Sequence, residues 1–290
     1  FPEIKYLPKP SLTLRPMAIL PIKDRVVYQA LANVVAEKGR STLSLLSNRQ
    51  SFANVLCPPN HVEMFRSWKS QHQQFQQAFA DLIEEGNIWL VETDMAAFYE
   101  TIDHARLFDL LRKLNFVDDP VIEYLEAYMP IWASVKDGQL APKGVPQGNL
   151  SSDLLANVFL YDLDETLAAR DCHYLRYVDD IRLLARTKEA VQRGLIQVDR
   201  ILKSMGLLIQ TKKTTVRKVT DQNDEFDRMA TLLSEIDRRL HEPADSADAA
   251  QDENMPSTPL YQANQITDNG EDASPNLQLQ DSLINWFWKL

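Results

Sequence analysis

The sequence predicts an α+β fold in which an antiparallel sheet is backed by helices, and three observations carry that prediction. Residues 174–185 are apolar on both sides of Asp179 and Asp180, the pattern of a strand, a tight turn and a returning strand. Residues 88–93 form a second short apolar run of strand length, ending at Asp94. Around these runs, apolar residues recur every three to four positions, as on the buried face of a helix. At 290 residues, with 44% hydrophobic and 25% charged residues, the chain can bury one large core or two small ones.

Taken in order, residues 1–40 are punctuated by proline and then become helical, with Val26, Val27, Ala30, Leu31, Val34 and Val35 at helical spacing. Phe65, Trp68, Phe75, Phe79, Leu82 and Ile83 among glutamines and lysines predict a long amphipathic helix over 62–86. Asp103 is placed to cap a helix carrying Leu107, Leu110, Leu111 and Leu114. Another helix starts near Ser151 and Ser152 and carries Leu154, Leu155, Val158 and Phe159. After the 174–185 hairpin, Val191, Leu195, Val198, Leu202 and Met205 mark a helix stopped by Gly206, and 207–219 reads as strand. Phe226, Met229, Leu233, Ile236 and Leu240 predict one more amphipathic helix over 221–240. Residues 241–280, rich in Asp, Asn, Gln, Ser and Pro, are an acidic, disordered linker or insertion, and 281–290 starts a further apolar element.

The net charge of −10 is unevenly spread. Residues 241–280 hold eight acids and no lysine or arginine, so without them the charge is −2. Residues 1–50 hold eight basic side chains against three acidic ones, an excess of five that suits phosphates or, equally, a solvated surface. No apolar run approaches the ~18–20 residues that span a bilayer and no signal peptide is legible, so a cytoplasmic setting without membrane contact is expected. Cys57 and Cys172 lie far apart without a partner pattern, suggesting neither a zinc site nor a disulfide. The chain begins with Phe1, which points to a fragment.

Asp is a common turn residue, yet Asp179 and Asp180 stand at the tip of a hairpin whose arms are both apolar. Asp94 ends its own apolar strand in the same way. Two such clusters brought together repel and are costly to ionise without a counter-charge. A pair of divalent cations about 3.5–4 Å apart resolves the repulsion, and oxygen ligands suit Mg²⁺.

Five segments then resemble one family in its own order. Arg15-Pro16 through Ile22-Lys23-Asp24-Arg25-Val26-Val27 is similar to the fingers motif of prokaryotic reverse transcriptases. Asp94-Met95-Ala96-Ala97-Phe98-Tyr99, continuing to Ile102-Asp103-His104, resembles their first palm motif. Gly144-Val145-Pro146-Gln147-Gly148-Asn149-Leu150-Ser151-Ser152 resembles the Pro-Gln-Gly motif, and Tyr177-Val178-Asp179-Asp180 the Tyr-x-Asp-Asp hairpin. Gly206-Leu207 with Lys213-Thr214 resembles the motif that follows. The resemblance implies the fingers and palm of a right-hand polymerase, with fingers over residues 1–92 and palm over 93–220.

It also implies an RNA-directed DNA polymerase, with an RNA template, a DNA product and deoxynucleoside triphosphates as partners. Asp94, Asp179 and Asp180 would hold two Mg²⁺ ions, with Mn²⁺ as a substitute. Tyr99 would block a ribose 2′-hydroxyl and Gln147 would lie against the incoming nucleotide. Arg15, Lys23 and Arg25 would neutralise the triphosphate, and Lys213, with Lys212 as its neighbouring rival, would protonate pyrophosphate. His104 follows a capping Asp and reads as a first-turn helix residue rather than a metal ligand. Between Asn48 and Trp89 no Gly-Arg-Ser segment of group II intron enzymes is found; Ser51, Phe52, Trp68 and Phe75 there are more similar to abortive-infection and defence-associated bacterial reverse transcriptases. A retron or intron-type enzyme, or a non-catalytic nucleic-acid-binding domain of the same fold, is the alternative.

Overall fold

In the computed structural model, which describes residues 1–8, 14–135, 139–167 and 172–220, the chain opens with an antiparallel hairpin. Its strands are β1 (Glu3–Pro8) and β2 (Leu14–Ile19), with Glu3 opposite Ile19 and Leu7 opposite Arg15. Sequence reading misses this hairpin because Pro8 and Pro16 argue against strands; a two-stranded ribbon tolerates them because it is all edge. Helix α1 (Ile22–Ser44) follows and buries Tyr28, Ala32, Val35, Ala36, Gly39 and Leu43. Val26, Val27 and Val34, expected on the buried face, are exposed. At Gly39 the helix comes so close to the Phe116 ring that an added Cβ would lie 2.6 Å from it.

Helix α2 (Trp68–Glu84) starts six residues later than the periodicity suggests. Residues 62–67 instead hold an irregular segment whose Phe65 bridges Leu56. Strand β3 (Trp89–Asp94) ends at the expected acid, and a short helix α3 (Phe98–Thr101) follows. Asp103 caps α4 (His104–Leu114): its carboxylate accepts from the Arg106 N–H at 3.2 Å. Helix α5 (Asp119–Trp132), which the periodicity does not single out, buries Ile122, Leu125, Met129 and Trp132. Helices α6 (Leu150–Phe159) and α7 (Tyr161–Leu167) then lead to the hairpin of β4 (His173–Tyr177) and β5 (Asp180–Ala185). Helix α8 (Lys188–Ser204) is capped by the Thr187 hydroxyl, which accepts from the Ala190 N–H, and Gly206 follows with φ 79°. The expected strand over 207–219 is mostly irregular: a 3₁₀ turn spans Thr211–Lys213, and only β6 (Thr215–Lys218) pairs. The helix expected over 221–240, the acidic 241–280 and the apolar 281–290 lie outside the described residues.

Strands β4, β5, β3 and β6 lie in that order in one antiparallel sheet. Alternation divides its side chains between two faces. Val91, Tyr174 and Leu183 join the main core with Leu107, Leu111, Leu154, Val158, Val198 and Leu202 of α4, α6 and α8. Leu90, Leu175 and Leu184 face Phe52 and the Phe75, Phe79 and Ile83 face of α2. Each such aliphatic side chain, fully buried, stabilises the fold by about 1.5–3 kcal/mol. The sheet is therefore clamped on both faces, and its β3 and β5 ends are fixed where the acids emerge. Among the described residues no helix is long and apolar enough to cross a membrane.

Candidate active site

The register of β3 against β5 sets Asp94 directly opposite Asp180. Asp179 sits in the turn joining β4 to β5, and its carbonyl accepts from the Met95 N–H at 3.3 Å. Thus the residue after Asp94 is tied to the residue before Asp180, and the three acids share one end of the sheet. The Asp179 carboxyl is pushed up to about 7 by burial first, then by the charges of Asp180 and Asp94, and it reaches the Asp94 carboxyl by a hydrogen bond. Asp180 is also raised, by the surrounding protein and by Asp94, although much of its residue surface faces solvent.

The nearest counter-charge is Lys213. Its ammonium forms an ion pair with Asp94 Oδ2, which raises the lysine above its ordinary value. The 3₁₀ turn that carries Lys213 is anchored to the same acid's backbone, the Gln210 N–H donating to the Asp94 carbonyl at 2.6 Å. Lys212, its rival in the sequence, makes no ion pair with the three acids. Sequence order therefore brings four of the expected residues together: Asp94, Asp179, Asp180 and Lys213.

Tyr99 and the loop holding Gln147 meet just beyond β3. The Val145 N–H donates to the Tyr99 carbonyl at 2.8 Å, and the Gly144 N–H to the Ile102 carbonyl at 2.7 Å. Gly144 sits at φ 93°, where an added Cβ would lie 3.3 Å from the Glu100 carbonyl. The Ser152 hydroxyl and the Asn149 amide both donate to the Pro146 carbonyl, at 2.7 and 2.9 Å, holding the loop as it enters α6. The Tyr99 hydroxyl donates to Asp153 Oδ1 at 2.6 Å. Burial, followed by the Asp153 charge, raises the Tyr99 phenol, so its proton stays in that bond at any ordinary pH. Asp153 is itself pushed up to about 6 by burial. It was absent from the expected site; the signal was a lone acid among Leu154, Leu155, Ala156 and Val158.

The β1–β2 hairpin touches this loop: the Ala18 N–H donates to the Gln147 carbonyl at 3.0 Å. Arg15, Lys23 and Arg25 are exposed on β2 and the first turn of α1, and none is bonded to the three acids. His104 is buried, with its Nε2 against the Gly144 carbonyl at 2.5 Å. That is the helix role expected of it. A second unforeseen group lies beneath the hairpin, where Arg176 pairs with Asp164 at 2.5 Å with both side chains almost fully buried.

One further group of potential ligands lies together, Cys57, His61 and Glu63, with ligand atoms within 4.8 Å of one another. The two cysteines had suggested no metal site. His61 Nδ1 accepts from the Glu63 N–H at 3.2 Å.

Comparison with known proteins accords with this geometry. The family model described as "Reverse transcriptase (RNA-dependent DNA polymerase)" matches residues 7–229. The chain belongs to the reverse transcriptase family. It is 26% identical over 175 residues to Protein YkfC of Escherichia coli, covering 57% of this chain and 40% of that protein. It is 26% identical over 161 residues to the group II intron-encoded protein LtrA of Lactococcus lactis, covering 54% of this chain and 23% of that protein. The matches thus span less than half the length of either relative. Among solved structures, apo telomerase from Candida tropicalis superposes with a TM-score of 0.55 at 14% identity, over 75% of this chain and 44% of that one. Telomerase from Candida albicans, in complex with a fragment of telomeric RNA, gives a TM-score of 0.51 at 16% identity, over 76% and 43%. The fold is thereby shared across low identity, and Asp179 and Asp180, both raised, stand at one end of its sheet.

Proposed function

We propose that this chain is a polymerase that copies RNA into DNA, adding deoxynucleotides to a primer 3′ end with two divalent cations held by Asp94, Asp179 and Asp180. The observation that supports it best is the crowding of three carboxyls at one sheet end, where Asp179 is raised to about 7 and Lys213 pairs with Asp94. Carboxylates so arranged gain most from hard cations with oxygen preference, Mg²⁺ or Mn²⁺. Bound there, the ions would activate the primer hydroxyl and stabilise the leaving pyrophosphate.

The chain's own residues would do the rest. Tyr99, fixed by its bond to Asp153, would close the space a ribose 2′-hydroxyl needs, and Gln147 would meet the incoming nucleotide from the loop whose Val145 N–H is bonded to the Tyr99 carbonyl. Arg15, Lys23 and Arg25 supply positive charge from the fingers to the triphosphate. Lys213, paired with Asp94, would supply a proton from its charged ammonium to the leaving pyrophosphate. The test is incorporation of labelled deoxynucleotide on an RNA template with a DNA primer, with and without Mg²⁺. Dependence on template and on metal is expected; RNA binding without incorporation would instead make the chain a nucleic-acid-binding domain.

For the biological setting we infer anti-phage defence. The support is the 51–75 stretch, whose Phe52 and Phe75 rings meet at 5.5 Å and form the core beneath the catalytic hairpin, where intron enzymes would carry another segment. Sequencing the nucleic acid that co-purifies with the protein tests this. Products unrelated to an intron or to retron RNA are expected; intron or retron sequences would overturn it.

A further inference from the structure

The turn carrying Asp179 is strained. Val178 has φ 57°, in the left-handed region that a β-branched residue strongly disfavours. Such a conformation persists only where its surroundings over-determine it. What holds it here is a side chain two residues back. Arg176 lies in β4 with 1% of its surface exposed, and its Nη1 donates to the Val178 carbonyl at 2.8 Å.

The guanidinium is in turn fixed from three other elements. Its Nε and Nη2 grip the two oxygens of Asp164 on α7, at 2.8 and 2.5 Å. Nη2 also donates to Asn157 Oδ1 of α6 at 2.8 Å and to the Ser51 hydroxyl at 3.0 Å. The Tyr174 hydroxyl completes the Asp164 shell at 2.8 Å. The Arg176 backbone is held as well: its N–H donates to the Gln50 carbonyl at 2.7 Å, and its carbonyl accepts from the Phe52 N–H at 2.9 Å. A buried charge pair of this kind is weak evidence for stability, since an apolar replacement can be as stable. Its geometry does something an apolar core would not: it delivers one rigid N–H to the carbonyl of the strained residue.

We propose that Arg176 is a positioning residue, a clamp that transmits the packing of α6, α7 and the Ser51 segment to the Val178 peptide and so aims the Asp179 carboxylate at Asp94. This rests on the polymerase reading for its consequence in catalysis, but the clamp itself is a property of the turn. Lysine at position 176 keeps the charge and loses the fork, so it cannot hold Asp164 and the Val178 carbonyl together. Without the clamp, Val178 relaxes toward ordinary φ and Asp179 turns with it. Glycine at 178 adopts φ 57° without strain, so the turn then no longer needs holding.

Four proteins test this: wild type, Arg176→Lys, Val178→Gly and the double variant. Each is measured for incorporation rate, for Mn²⁺ binding by electron paramagnetic resonance, and for hydrogen exchange across residues 177–180. Arg176→Lys is expected to lose about tenfold or more in rate and Mn²⁺ affinity, with exchange raised at the turn but not in α6. The double variant is expected to recover most of the rate and affinity, which a loss of general stability would not allow. Should Arg176→Lys fail to melt cooperatively, Asn157→Ala takes its place, with a smaller loss and the same rescue by Val178→Gly. Wild-type behaviour in Arg176→Lys, or a double variant no better than the single one, overturns the clamp. A wild type that incorporates nothing refutes the polymerase reading instead, while exchange at the turn still decides the clamp.

Discussion

Replacing Asp179 by Asn should stabilise the metal-free protein at neutral and alkaline pH, and the size follows from the crowding of the acids. A carboxyl raised from 3.8 to about 7 favours the protonated form in the folded state. The stability it contributes is fully present below the unfolded value and is lost as pH rises through about 7. The full shift corresponds to on the order of 4 kcal/mol above pH 7. The carboxyl is coupled to its charged neighbours and solvent reaches the site, so about 2 kcal/mol should appear as the difference between wild type and Asp179→Asn at pH 8. The assay is urea unfolding in a chelator from pH 5 to 8.5. The wild-type midpoint should fall as pH rises, and the variant's should fall less. His72 and His104, both lowered by burial, pull the other way below their ordinary 6.5. They cancel in the difference between the two proteins. A variant that loses stability equally at pH 5 and pH 8 would refute the reasoning, because the carboxyl would then be a structural ligand and not a crowded charge.

Tyr99→Ala should keep deoxynucleotide incorporation and admit ribonucleotides at least about tenfold more readily, since the ring's contribution is a steric clash; competition between the two sugars measures it. Gly148→Ala places a side chain at φ 98° and a Cβ 2.6 Å from Met17 Cε. It should cost about 1–2 kcal/mol by thermal melting and raise the nucleotide KM, because Met17 lies on the strand bonded to the Gln147 carbonyl. Asp103→Ala removes the cap of α4 and should cost about 1 kcal/mol in urea unfolding with little change in rate.

What the sequence made legible was whatever repeats with a period or sits at a motif. The leucines of α4 and α8, the strand ending at Asp94, and the hairpin around Asp179 all appear where the pattern puts them, because one buried face dictates each. The β1–β2 hairpin did not, since its residues are largely exposed and its prolines argue against strand. The start of α2 was displaced because Phe65 packs from an irregular segment that mimics helical spacing. Lys213 was legible only through its motif; that it pairs with Asp94 depends on how the 3₁₀ turn folds back over 119 residues. Arg176 and Asp164 were overlooked for an opposite reason. A charged residue inside an apolar strand announces that it must have a partner, but not which one.

The central claim is that Asp94, Asp179 and Asp180 form a metal-dependent polymerase centre. The most direct measurement is single-turnover extension of a DNA primer on an RNA template by wild type and Asp179→Asn, at matched protein stability, across a titration of Mg²⁺. Extension by the wild type that saturates with Mg²⁺, and none by the variant at any concentration, is the result this account predicts. Extension by Asp179→Asn at the wild-type rate would contradict it.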